Sequence, residues 1–166
     1  MRLAAKICFI GGYPRPIHES ANRHIDFARG NDMIKKVDHI AVVVPDLDAA
    51  MKFWVEAFGL ALERVESVPR EGVDVAFLPV GDSEIELLQP TDPESGVARY
   101  LEKRGPGLHH LCFEVDDIDA TLARLKAAEI PLINETAVTG NDGKKYAFVH
   151  PKGTGGVLVE LYELPG

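Results

Sequence analysis

An internal repeat constrains the fold of this chain more than any other feature of its sequence. Residues 107–120 match residues 37–49, and the match aligns His110 with His39. Each copy reads as an apolar, strand-like run, then a turn, then an amphipathic helix that opens with Asp. A unit that occurs twice in 166 residues predicts a single fold made of two similar halves.

A second match follows at a similar distance in each copy. Residues 83–87 align with residues 157–161, and this match aligns Glu86 with Glu160. Each half therefore carries one His and one Glu, both on apolar runs that are typical of strands.

Three strand-like runs follow the helix in each copy, so each half is predicted to be a βαβββ module. The runs lie at 61–68, 73–80 and 84–88 in the first copy and near 132–135, 146–149 and 157–162 in the second. Gly81 and Asp82 form a tight hairpin turn in this scheme, and a short helix over residues 97–103 lies between the halves. Neither half could bury both faces of its sheet alone. We therefore predict an α+β fold in which two paired βαβββ modules, about 35–90 and 107–164, close around a shared cleft.

The first helix of each module is predicted from its cap and its apolar stripe. Asp46 or Asp48 caps the first helix, and Asp117 caps the second. The first stripe recurs at helical spacing and consists of Leu47, Met51, Trp54 and Phe58. Such a stripe indicates a helix packed on the core, and Gly59 is expected to end it.

Residues 1–32 match neither copy and are predicted to be a loosely ordered N-terminal extension. Residues 11–16 combine Gly and Pro and interrupt any continuous helix. Met33 stands immediately before the first copy and could serve as an alternative start. A single domain is thus expected to cover residues 33–166.

Composition argues against several classes of function. The net charge of −8 argues against a nucleic-acid partner or an anionic membrane surface. No apolar run approaches the roughly 20 residues that span a bilayer. Cys8 and Cys112 are too few for a disulfide scaffold and favour a reducing compartment. The protein is expected in the cytoplasm, or in the mitochondrial matrix if residues 1–32 are a transit peptide.

Matched histidines and glutamates favour a metal site. If the halves pair about a pseudo-two-fold axis, four side chains converge on the floor of the cleft, and we call them the His/Glu quartet: His39, Glu86, His110 and Glu160. Taken singly, each would more often be a surface or hydrogen-bonded residue, but chance rarely repeats a His and a Glu at matching places. Imidazole and carboxylate donors accept a divalent ion such as Co, Zn, Ni, Mn or Mg without choosing among them. His109 precedes His110 and is predicted to point to the opposite face.

The first strand, residues 37–47, resembles the opening of the vicinal-oxygen-chelate (glyoxalase-like) superfamily, whose fold is paired βαβββ modules around a metal. Residues 107–110 (Gly-Leu-His-His), 150–152 (His-Pro-Lys) and 156–161 (Gly-Val-Leu-Val-Glu-Leu) resemble the methylmalonyl-CoA epimerase family within it. The resemblance covers about residues 34–164. It implies an isomerase that interconverts (2R)- and (2S)-methylmalonyl-CoA by removing the C2 proton to form an enolate. It also implies an acyl-CoA partner and a homodimer.

The resemblance further implies roles for single residues. It places the metal ligands at the His/Glu quartet and gives Glu160 a second role in proton transfer. Some epimerases carry a second catalytic Glu where this chain has Val75. Asp74 points to the other face of its strand, so the second group would be water or a nearby carboxylate such as Glu71.

Two other functions fit parts of this pattern. A glyoxalase-I-like isomerase or lyase shares the fold, the ligand types and the enolate chemistry. Its substrate, a hemithioacetal of glutathione, has no long nucleotide tail for the enzyme to bind. A non-enzymatic protein that binds small molecules would share the fold, but such proteins usually lack the ligands. The intact quartet argues against this second alternative.

Overall fold

The computed structural model describes residues 33–140 and 143–165. The chain divides into two units, Met1–Gly30 and Asn31–Gly166, and all described residues belong to the second. The predicted extension at residues 1–32 therefore lies outside the described residues. In the part of the chain that is described, no helix is long and apolar enough to cross a membrane.

Strands dominate the described residues, and three α-helices lie between them. In chain order the elements are β1 (Ile34–Val43), α1 (Leu47–Met51), β2 (Arg64–Val68), β3 (Val73–Val80), β4 (Ser83–Pro90), α2 (Gly96–Arg104), β5 (Gly107–Val115), α3 (Ile118–Ala127), β6 (Val138–Thr139), β7 (Lys145–Val149) and β8 (Leu158–Glu163). A π-helical segment, Lys52–Ala57, continues α1, and a 3₁₀ turn, Pro151–Gly153, precedes β8. The helix predicted over residues 97–103 is therefore confirmed as α2.

The strands form one sheet in the order β2-β3-β4-β1-β5-β8-β7-β6. β1 and β5 pair antiparallel at its centre, and each pairs in parallel with the last strand of its own half, β4 or β8. The second half thus repeats the strand order of the first about a pseudo-two-fold axis between β1 and β5. The predicted α+β fold of paired βαβββ modules is confirmed, and the halves join edge to edge rather than face to face.

Apolar residues cover the two faces of the sheet differently. Leu78 and Leu87 are completely buried beneath α1, and Ile118 and Leu122 of α3 pack on the same face in the second half. On the other face, α2 packs on a separate apolar cluster that includes Val43. This second face is left to form a cleft that both halves line.

The predicted helix caps are confirmed. Oδ1 of Asp46 and Oδ1 of Asp117 each accept a hydrogen bond from the N–H three residues ahead, at 2.7 and 2.8 Å. The structure adds a second cap in each half. Gln89 of β4 and Glu163 of β8 each accept from the first N–H of the helix in their half, at 2.7 Å. Each helix is thereby tied to the last strand of its own module.

The apolar stripe predicted for the first helix is wrong at Phe58. Leu47 is 7% exposed, whereas Phe58 is 62% exposed. The N–H of Phe58 donates to the carbonyl oxygen of Phe53 at 2.7 Å, five residues back, which is the spacing of a π-helix. The wider turn rotates Phe58 out of the stripe, and its ring stacks on Phe53 instead. Gly59, with φ of +87°, ends the helix as predicted.

The strand predicted near 132–135 is also wrong. Within this segment only Leu132 forms a β-bridge, to Val149, and the outer strand of the sheet is β6. The side-chain oxygen of Asn134 accepts from the N–H of Phe148 at 2.9 Å. A side chain thus takes the place of the backbone carbonyl that a continuing strand would offer.

We propose that a chain starting at Met33 folds and turns over like the full chain. The carbonyl oxygen of Met33 accepts from the N–H of Asp116 at 3.0 Å, and β1 begins at the next residue. Among the described residues, the pairs between β1 and β5 begin at Ile34, after the proposed start. The midpoint of thermal unfolding should stay within about 3 °C of that of the full chain, equivalent to about 1 kcal/mol or less. Insoluble or unfolded protein would show that residues 1–32 contribute to the core.

Candidate active site

The register of the two central strands brings the two quartet histidines onto one face. His39 of β1 stands opposite Cys112 of β5, and His110 of β5 stands opposite Ala41 of β1. Residues directly opposed in an antiparallel pair project from the same face of the sheet. Both imidazoles therefore point into the cleft.

The two quartet glutamates come from the strands on either side. In β4, Glu86 is aligned with Ala41 of β1. In β8, Glu160 is aligned with Cys112 of β5. Each half thus places its His on its first strand and its Glu on its last strand, as the repeat predicts.

Three members of the quartet bring their donor atoms together. Nε2 of His39 and Nε2 of His110 lie 3.0 Å apart. Oε2 of Glu160 lies 3.1 Å from Nε2 of His110 and 3.6 Å from Nε2 of His39. Donor atoms that share one ion at about 2.1 Å stand roughly 3.0 to 3.5 Å apart. We call these residues the metal trio, since their chemistry and spacing fit a divalent ion.

Glu86 lies on the same face but outside the metal trio. Its Oε1 is 3.7 Å from Nδ1 of His39, not from Nε2. Burial raises the pKa of Glu86, although the nearby imidazoles of His39 and His110 act in the opposite direction. Its side chain would have to rotate to join the three donor atoms.

A second group of possible donors, formed by Asp38, His39 and Cys112, fits a metal less well. Cys112 is completely buried, and burial raises the pKa of its thiol to about 12. Metals bind the thiolate, which this environment disfavours. The metal trio is therefore the better candidate.

Opposite charges face each other on the floor of the cleft. Burial alone would raise the pKa of Glu160, but hydrogen bonds from His110 and His39 lower it to about 2. Burial opposes the charge on His39 as well, yet contacts with Asp38, Cys112 and Glu160 outweigh it and raise the pKa of His39. The buried Glu160 carboxylate therefore needs a positive charge beside it to stay ionised. A divalent ion would supply that charge and displace the protons of its ligands.

A cleft of about 260 Å³ opens over the metal trio. Its walls are mostly apolar and include Val75, Phe77, Leu88, Val97 and Phe148. Apolar walls limit access of water and strengthen the electrostatic interactions of a bound ligand. The cleft is suited to a small polar group that reaches the trio while its apolar part contacts the walls.

The carboxylates near β3 differ in whether they line the cleft, as predicted. Val75 is buried and lines the cleft, so no acid stands at that position. Glu71 lies in the turn before β3, is exposed, and also lines the cleft. Asp74 instead accepts a hydrogen bond from the hydroxyl of Ser67 and is not among the residues that line the cleft.

The prediction that His109 points away from the cleft is wrong. The pairing of β1 with β5 moves from His110 directly to Leu108, which leaves His109 as the extra residue of a β-bulge. The bulge interrupts the alternation of faces, so His109 lines the cleft beside His110. Burial and the charge of His110 lower the pKa of His109 to about 4, which keeps its imidazole neutral. The polar residue that precedes the matched His in both copies is the sequence signal that could have revealed this.

Comparison with known proteins identifies the family. Residues 38–148 match the glyoxalase/bleomycin resistance protein/dioxygenase superfamily. Mitochondrial methylmalonyl-CoA epimerase from Mus musculus is 40% identical over 127 residues, which are 76% of this chain and 71% of that protein. The chain belongs to the methylmalonyl-CoA epimerase family. The predicted membership of a family of isomerases is thereby confirmed.

Bacterial members of the family are similar along most of the chain. Ethylmalonyl-CoA/methylmalonyl-CoA epimerase from Cereibacter sphaeroides is 38% identical over 134 residues, which cover 80% of this chain and 100% of the relative. A solved structure of a Streptomyces coelicolor methylmalonyl-CoA epimerase variant in complex with 2-nitronate-propionyl-CoA has a TM-score of 0.69 and 32% identity. The superposition covers 78% of this chain and 94% of the Streptomyces chain. The family likeness therefore includes both modules.

Proposed function

We propose that this chain interconverts (2R)- and (2S)-methylmalonyl-CoA with a divalent metal ion held by the His/Glu quartet. The observation that carries the proposal is the metal trio at the floor of an apolar cleft, in a chain of the epimerase family. An acyl-CoA partner, a homodimer, and a cytoplasmic or mitochondrial location belong to the same proposal. The named mitochondrial and bacterial relatives support its last part.

The reaction removes the C2 proton, which lies between a thioester and a carboxylate, and returns a proton on the opposite face. When bound, the divalent ion would act as a Lewis acid that stabilises the negative charge developing on the substrate oxygens. The apolar walls of the cleft would limit access of water to the bound substrate and so increase this stabilisation.

Glu160 is proposed to transfer the proton on one face of C2. Its carboxylate lies at the floor of the cleft, where substrate bound beside the metal trio would present C2. A lowered pKa keeps Glu160 ionised at neutral pH but also makes it a weak base. Most of the driving force must therefore come from stabilisation of the enolate rather than from the strength of the base.

Glu71 is proposed to serve the other face. Val75 cannot transfer a proton, whereas Glu71 carries a carboxylate at the edge of the same cleft. Because Glu71 is exposed, it can exchange its proton with solvent between turnovers.

A stereochemical assay tests the proposed function. A single epimer of methylmalonyl-CoA is supplied, and the other epimer is followed before treatment with a chelator, after it, and after return of Co²⁺ or Zn²⁺. We expect interconversion that is lost with the chelator and recovered with the ion. Full turnover by protein shown to be metal-free would overturn the metal requirement. Turnover of a glutathione hemithioacetal in place of methylmalonyl-CoA would instead favour the glyoxalase-like alternative.

Deuterated water tests whether two groups transfer the proton. If separate groups act on the two faces, the product should carry solvent deuterium at C2 from the first turnover, while unreacted substrate gains little. Mass spectrometry of both epimers measures this. Glu71→Gln should lower turnover by about 100-fold or more, whereas Asp74→Asn, a nearby carboxylate outside the cleft, should leave it unchanged. Product that keeps its original hydrogen would mean that one residue reaches both faces.

A further inference from the structure

A β-bulge precedes each histidine of the metal trio. The pairing between β1 and β5 passes over Asp38 on one strand and over His109 on the other, so each is an extra residue. A bulge redirects the side chain of its extra residue. Asp38 and His109 are also equivalent positions of the sequence repeat. A bulge followed by a histidine therefore occurs twice, once on each side of the pseudo-two-fold axis.

Each extra residue contacts the same ring atom of the histidine that follows it. Oδ1 of Asp38 lies 3.1 Å from Nδ1 of His39. Nδ1 of His109 lies 2.8 Å from Nδ1 of His110. The opposite ring atoms, the two Nε2, face each other and Glu160. In both rings Nδ1 is thus engaged by its neighbour while Nε2 points to the place where an ion would bind.

We propose that Asp38 and His109 are positioning residues that fix the tautomer and the ring orientation of the two metal-binding histidines. This inference rests on the proposed metal site. The ionised carboxylate of Asp38 can only accept, so the proton of His39 is held on Nδ1 and the lone pair on Nε2 is left for the ion.

The second bulge can reach the same result with an imidazole in place of a carboxylate. When His109 accepts through Nδ1 and carries its own proton on Nε2, His110 is held with its proton on Nδ1. The ring of Tyr100 packs edge-on against His109, with centroids 4.8 Å apart. On the other side of the axis, Nζ of Lys36 lies 3.3 Å from Oδ2 of Asp38. Both positioning residues are therefore themselves held in place.

Two pairs of variants separate the hydrogen bond from the bulk of the side chain. Asp38→Leu and His109→Phe keep bulk but remove the acceptor, whereas Asp38→Asn and His109→Asn keep an acceptor. Zn²⁺ affinity is measured by competition with a chromophoric chelator, and circular dichroism confirms folding. We expect the Kd for Zn²⁺ to rise about 10- to 100-fold in the first pair and to stay within about 3-fold in the second. An unchanged Kd in the first pair, or equal weakening in both, would overturn the inference.

The wild-type protein provides a second measurement that needs no variant to fold. In ¹⁵N spectra of the Zn²⁺-loaded protein, we expect the proton on Nδ1 in His39 and His110 and on Nε2 in His109. A proton on Nε2 of either trio histidine would overturn the inference. Loss of the metal site and loss of the positioning role give different results. Wild-type protein that binds no Zn²⁺ removes the metal site itself, whereas normal binding by all four variants removes only the positioning role.

Discussion

Replacing His110 by alanine is expected to weaken metal binding and slow turnover together. Nε2 of His110 lies 3.0 Å from Nε2 of His39 and 3.1 Å from Oε2 of Glu160, so its loss removes the central donor of the metal trio. Zn²⁺ affinity should fall by about 100-fold or more, and turnover by about 1,000-fold. Elemental analysis and the single-epimer assay on the same sample measure the two effects.

A matched control removes an imidazole outside the cleft. His150→Asn keeps an acceptor for the N–H of Lys152, which the wild-type Nδ1 receives at 3.0 Å. Metal content and turnover should both remain at the wild-type level in this control. His110→Ala protein that still holds one equivalent of metal would remove His110 from the ligand set.

The second large effect is expected for Glu160→Gln. The amide cannot take the C2 proton and brings no negative charge to the floor of the cleft. Turnover should therefore fall by about 100- to 10,000-fold. Metal content decides how the loss is interpreted. With metal unchanged the loss reports the missing base, and with metal reduced it reports a missing ligand.

Glu114→Gln provides the matched control for this substitution. Glu114 is a buried carboxylate on β5, 8% exposed, and it pairs with Nζ of Lys35 at 3.3 Å. Its replacement should lower the free energy of unfolding and leave metal content and turnover unchanged. Wild-type turnover in Glu160→Gln would contradict the proposed role of Glu160.

The sequence predicts the topology well because the repeat and the apolar periodicity both show which residues of each module face the core. Two matched units require two matched modules, and the matched His and Glu then fall on one face. The helix caps at Asp46 and Asp117 follow from short-range hydrogen bonding, which sequence encodes directly.

The wrong predictions for Phe58 and His109 have a common physical cause. A single inserted residue changes the phase of a periodic pattern, and nothing in the composition marks the insertion. The π-helical segment rotates Phe58 away from the core, and the bulge in β5 turns His109 into the cleft. The position of Glu86 outside the metal trio depends on a side-chain rotamer, which periodicity cannot specify. The strand and the face of each quartet residue were therefore predictable from the repeat, whereas its side-chain rotamer was not.

Because β1 and β5 pair at the centre of the sheet, an ion bound by the metal trio would cross-link the two halves. The first half contributes His39 to the trio, and the second contributes His110 and Glu160. A half on its own presents two donors of the quartet, too few to enclose an ion. Metal at 100 times its Kd would add about 2.7 kcal/mol to the free energy of unfolding. Because the ion would bind donors from both halves, that stabilisation would oppose separation of β1 from β5.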